Sequence, residues 1–205
     1  MVKSTEPIRP ILALDASWTC TGWAMVTQDG PDRAGSFSPS GTWKWERLEA
    51  HLSALIEEAG DWVETLKREH GADRVALPRL VVEEPTDHRK RTERRNDRIT
   101  LRGLSYCVGG VALQGVRHGW ASPWPVDAND WRAAMGWRSG TREALKAAAR
   151  RTVASRWPML REHVDRDTGA DVCEAILLGW CASREGVLRP PKGPTRDVVV
   201  NLGDW

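Results

Sequence analysis

Apolar and polar positions along the chain fall into short runs of branched residues and longer stretches with helical spacing. Ile11 to Asp15 is an apolar run closed by a carboxylate. A small, hydroxyl-rich stretch follows from Ala16 to Gly22, then a second apolar run, Trp23 to Val26, that stops at the turn residues Gln28 to Pro31. This order predicts a strand, a turn and an antiparallel strand. Gly41 to Trp45 is expected to be a third strand, with Trp43 and Trp45 on one face and in the core. After it, Leu48, Leu52, Leu55, Ile56, Ala59, Val63 and Leu66 recur at intervals of three and four, which predicts a helix from Glu46 to Glu69 packed by one face.

The second half continues the alternation. Arg79 to Glu84 reads as a strand ended by Pro85, and Ala121 to Val126 as a fifth strand. Between them, Arg91 to Gln114 takes on helical periodicity through Leu101, Leu104, Val108 and Val111. Helices are expected at Asp127 to Met135, at Thr141 to Arg156 with Pro158 beyond its end, and at Asp171 to Arg184. Gly186 to Trp205 is a tail punctuated by Pro and Gly, so residues 1–185 form one domain and 186–205 an appendage. A right-handed crossover through the first helix returns Arg79 to Glu84 to the sheet as a parallel strand beside Ile11 to Asp15. The expected architecture is an α/β fold with a five-stranded mixed sheet, three antiparallel strands and then two parallel ones, flanked by helices.

Composition narrows the function classes. The chain has 205 residues, 40% apolar and 28% charged, a size that one hydrophobic core can serve. The four cysteines, Cys20, Cys107, Cys173 and Cys181, form no CxxC pair, so neither a zinc ribbon nor a disulfide framework is indicated. Reduced thiols, no apolar run long enough for a bilayer and no signal-peptide order lead to the expectation of a cytoplasmic protein away from membranes. The net charge of +2 names no partner, but Arg89 to Arg102 carries seven basic residues against Glu93 and Asp97. Arg91, Arg94, Arg95 and Arg98 lie three or four apart on one helix face, a footprint for phosphates. A solvated helix face is the alternative. Positive charge at a helix start opposes the macrodipole, which favours an anion as partner. Of the twelve tryptophans, most are expected to fill the core, leaving a few available to stack on bases.

Four acids carry the candidate chemistry. Asp15 and Glu83 each end an apolar strand, where an ionised group needs a partner or a metal because removing its water is costly. Glu83 and Glu84 point to opposite sheet faces, so only one shares the side of Asp15. Asp171 and Glu174 are three apart in an apolar helix and therefore on one face. Taken singly, a strand-end Asp is more often a turn former, and two acids in a first helical turn more often complement the dipole. Taken together, four converging carboxylates repel one another unless cations relieve them, and two Mg²⁺ or Mn²⁺ ions would make a phosphodiester-cleaving centre.

The segment Ile-Leu-Ala-Leu-Asp15-Ala-Ser17-Trp-Thr-Cys-Thr-Gly22-Trp-Ala resembles the opening of the RuvC-type Holliday junction resolvases. Val81-Val82-Glu83-Glu84 is similar to their second acidic strand, and Gly169-Ala-Asp171-Val-Cys-Glu174-Ala-Ile-Leu-Leu-Gly179 to their C-terminal helix. The resemblance runs from about residue 10 to 185. It implies a ribonuclease H-like fold, Mg²⁺-dependent endonuclease action on branched DNA, and a homodimer. It also implies that Asp15, Glu83, Asp171 and Glu174 are metal ligands, and that Arg132, Arg142 and Lys146 contact DNA. Glu174 stands where the family usually has Asp, so either Asp167 or Asp171 is its partner. The loop Glu84-Pro85-Thr86-Asp87 lacks the aromatic wedge that such resolvases can carry, which leaves a diverged, phage-type branched-DNA nuclease open.

Three other readings stand beside this one. An actin-like ATPase calls for Gly two residues after the first Asp, where this chain has Ser17, and for a longer two-lobed chain. A ribonuclease acting on RNA–DNA hybrids uses the same carboxylates. A non-catalytic nucleic-acid-binding module of the same fold would not need all four acids.

Overall fold

The computed structural model describes residues 6–15, 20–38, 44–83, 109–137, 139–166, 170–184 and 186–188. The basic cluster Arg91, Arg94, Arg95 and Arg98, the residues after Glu83, Asp167 and residues 189–205 of the tail lie outside them.

Five strands form one sheet in the order β3-β2-β1-β4-β5. They are β1 (Ile11–Asp15), β2 (Thr21–Thr27), β3 (Gly30–Phe37), β4 (Arg79–Glu83) and β5 (Ala121–Val126). The first three strands pair antiparallel. β4 joins β1 in parallel and β5 joins β4 in parallel, so the mixed sheet is the expected one. The helices are α1 (Lys44–His70), α2 (residues 109–117), α3 (Ala128–Ala134), α4 (Arg142–Arg156), α5 (Arg161–Arg166) and α6 (Asp171–Ser183).

One expected strand is misplaced. The third strand is Gly30–Phe37, and Lys44 and Trp45 begin α1 instead of ending a strand; Trp43 lies outside the described residues. β3 is an edge strand with one neighbour, and its sequence GPDRAGSF is only half buried, so it needs no apolar alternation and shows none. The five-residue interval Gly41 to Trp45 was too short to separate strand spacing from the start of a helix.

Period-two alternation divides the sheet between two cores. Leu12, Leu14, Met25, Leu80 and Val82 face α1 and pack with Leu52, Leu55, Ile56, Ala59, Trp62 and Val63. Ile11, Ala13, Ala24, Val26, Val81 and Val126 face the other way, onto α6. Every residue of α6 is buried, including Asp171 and Glu174, because the sheet covers one side and α3 and α4 cover another. Two glycines permit this depth. A Cβ on Gly22 would lie 2.0 Å from the Asp171 carbonyl oxygen, and one on Gly179 would lie 2.9 Å from the Ala13 Cβ. Gly22 stands opposite Asp15 in the β1–β2 register, so the close approach brings the start of α6 onto the end of β1.

Candidate metal centre

The alternation that places Ile11 and Ala13 on the α6 side continues to Asp15, and the one that places Val81 there continues to Glu83. Both carboxylates stand at the C-terminal ends of neighbouring parallel strands. The first turn of α6 supplies the other two. Ala170 precedes it with φ 59° and ψ 11°, a left-handed conformation costing about 1–2 kcal/mol for a residue with a Cβ. That strain is kept where the acids enter the helix. The dipole of α6 favours negative charge here, but only by about 0.3–1 kcal/mol per group in ordinary cases.

One oxygen each from Asp15, Asp171 and Glu174 lies within 4.8 Å of the others. Asp171 is 8% exposed and Glu174 4%. Glu83 stands at the edge of this group, tied to it by Arg132, whose Nη2 donates to Glu174 Oε1 at 2.9 Å and lies 3.6 Å from Glu83 Oε1. Lys146 Nζ donates to Asp171 Oδ1 at 3.0 Å. The indole N–H of Trp131 donates to Glu83 Oε2 at 2.8 Å.

The acids are crowded. Among the described residues, Arg132 pairs with Glu83 and Glu174, and Lys146 with Asp171. Burial pushes the Asp15 carboxyl well above its ordinary value, and repulsion from Glu83, Glu174 and Asp171 adds to the shift while Lys146 opposes it. Burial likewise raises Glu83, with Arg132 and the Trp131 hydrogen bond acting against it. Withdrawing each ion from water costs several kcal/mol even after relaxation, more than a dipole or one ion pair returns. An arrangement this expensive fits a cation. All its donors are carboxylate oxygens, the set that hard divalent ions such as Mg²⁺ and Mn²⁺ take. The thiol of Cys20 is pushed up chiefly by burial.

The structure thus brings Asp15, Asp171 and Glu174 together and sets Glu83 beside them, joined through Arg132. Arg132 and Lys146, expected as DNA contacts, are engaged with the acids, whereas Arg142 is exposed at the start of α4. Trp131 was not anticipated, since nothing in the sequence sets its indole apart from the other tryptophans. Its only signal is its place in the helix that follows β5.

No family model matches the chain, and no curated protein matches it in sequence. Solved structures do match in shape. The Thermus thermophilus RuvC structure in complex with a Holliday junction substrate has a TM-score of 0.52 at 14% identity, covering 89% of this chain and 99% of that one. A second Thermus thermophilus RuvC structure has a TM-score of 0.51 at 13% identity, covering 88% and 99%. With the strand order, the pairing and the helix placement already described, these likenesses give this chain a RuvC-like version of the ribonuclease H-like fold.

Proposed function

We propose that this protein is a divalent-metal-dependent endonuclease that hydrolyses phosphodiester bonds in branched DNA such as four-way junctions. The observation that carries the reading is the convergence of strand-end and helix-start carboxylates, buried against one another, on a fold shared with a protein seen bound to a Holliday junction. Asp15, Glu83, Asp171 and Glu174 would hold two Mg²⁺ or Mn²⁺ ions, which when bound supply an activated water and stabilise the charge on the leaving 3′ oxygen.

The chain's own groups do the positioning. Asp15 and Glu83 are fixed by the sheet and Asp171 and Glu174 by the buried helix, so the ligands need little reorganisation. Lys146 and Arg132 hold Asp171 and Glu174 in place and provide positive charge where a scissile phosphate would enter. Arg142, with Arg91, Arg94, Arg95 and Arg98, would hold the backbone of the arms without reading sequence. In the hydrolysis, water oxygen bonds to phosphorus and the bond to the 3′ oxygen breaks, leaving a 3′ hydroxyl and a 5′ phosphate. A four-way junction has twofold symmetry and needs two cuts, so two copies related by a twofold axis suit it.

The test is a panel of labelled four-way junction, flap, linear duplex and RNA–DNA hybrid, each incubated with Mg²⁺, Mn²⁺ or EDTA. Preferential metal-dependent cutting of the junction supports the proposal. Cutting confined to the hybrid would move the assignment to a ribonuclease, and tight junction binding with no cutting in either metal would make the protein a non-catalytic binding module.

A further inference from the structure

Trp131 is fully buried in α3, yet its indole N–H is spent on Glu83 Oε2 at the edge of the carboxylate group. The next residue, Arg132, lies with its guanidinium 5.0 Å from the centre of the Trp131 ring and reaches both Glu83 Oε1 and Glu174 Oε1. Trp137 meets the Trp131 ring edge-on at 6.0 Å, which fixes the indole plane. Asp127 caps α3 by accepting from the Asn129 N–H, so the short helix that carries the pair is itself anchored at the end of β5.

We infer that Trp131 is a positioning residue for the metal centre: its N–H occupies Glu83 Oε2 and so presents Oε1 on the side of Arg132 and Glu174. A carboxylate at a strand end can rotate about its last bonds, and a directed hydrogen bond to one oxygen restricts that freedom. Groups that orient a metal ligand in this way affect affinity about 10–100-fold. This inference rests on the metal-dependent reading above. The competing role is that of a core tryptophan whose N–H simply found the nearest acceptor.

The two roles separate in a double-mutant cycle read by Mn²⁺ binding to the full chain, followed by electron paramagnetic resonance of free Mn²⁺. Three variants are needed: Trp131→Phe, Glu83→Gln and their combination. As a shape-preserving control, benzothienylalanine at position 131 keeps the bicyclic ring and replaces the N–H by sulfur. Trp131→Phe and the benzothienyl variant should each weaken Mn²⁺ binding by about 10-fold. In the Glu83→Gln background the Trp131 change should add no further loss. Additive losses, or a benzothienyl variant that binds Mn²⁺ like the unmodified protein, would overturn the positioning role. An unmodified protein that binds no Mn²⁺ at millimolar concentration would overturn the metal reading first, and the role of Trp131 with it.

Discussion

At Asp15 and Glu83, protonation and folding are linked with a definite sign. Both carboxyls are raised in the folded protein, from ordinary values of 3.8 and 4.5. The native state therefore binds more protons than the unfolded chain between those values and the raised ones. By linkage, the contribution of these two groups to stability is fully present below the ordinary values and is lost as pH rises through the raised ones. In the absence of divalent ions, the Tm of the unmodified protein should therefore fall relative to that of Asp15→Asn over this window. Mg²⁺ or Mn²⁺ competes with protons for the same oxygens, so the metal-induced rise in Tm should grow as pH increases. Thermal melts at several pH values with and without Mn²⁺ check this. A metal effect that shrinks with rising pH would speak against the acids as ligands. Much of this residue-scale picture was legible in the sequence, because strand alternation and the three-residue spacing in a helix decide which face a carboxylate takes. The pairing of Arg132 and Lys146 with acids was not, since a helix-borne cation shows its partner only after the helices pack.

Helix α6 is the element on which the site depends, and its two close approaches to the sheet have different consequences. Gly22 meets the backbone of Asp171, which cannot rotate away, so Gly22→Ala must push the start of α6 off β1 and β2. Gly179 meets the side chains of Ala13 and Val26 about two turns further along the helix. Overpacking of this kind typically costs about 1–3 kcal/mol, and both substitutions should lower the unfolding free energy by at least that. Only Gly22→Ala should also lose Mn²⁺ affinity, because it displaces Asp171 from Asp15. Denaturant unfolding combined with Mn²⁺ titration distinguishes them, and equal Mn²⁺ affinities in the two variants would remove the role assigned to Gly22. Elements with a buried face were readable: α1 was expected at Glu46 to Glu69 and found at Lys44–His70, and β5 falls where its residues indicated. β3 and the short α5 were missed for the same physical reason. β3 has no fully buried residue and α5 is exposed along much of its length, and each carries too few apolar residues to set a period.

Across the whole molecule, charge is unevenly divided. An acidic centre sits in a chain whose net charge is +2, and the strongest basic run, Arg89 to Arg102, begins six residues after the end of β4. Backbone contacts release counterions, with log K falling by about 0.9 per log unit of salt for each phosphate met. Replacing Arg91, Arg94, Arg95 and Arg98 by Ala should flatten the salt dependence of junction binding by up to about 3–4 units if each meets a phosphate. Affinity should drop similarly for unrelated sequences. An unchanged slope in a titration from low to physiological salt would assign that run to a solvated face. Among the described residues no helix is long and apolar enough to cross a membrane.

The most direct measurement is single-turnover cleavage of an end-labelled four-way junction by the unmodified protein and by Asp15→Asn, each with Mg²⁺ and with EDTA, at protein concentrations where both bind the junction equally. The unmodified protein should cut in Mg²⁺ and stop in EDTA, and Asp15→Asn should remain at the EDTA level in either condition. Cleavage that persists in Asp15→Asn at the unmodified rate, or that survives EDTA, would contradict a metal centre built on these carboxylates.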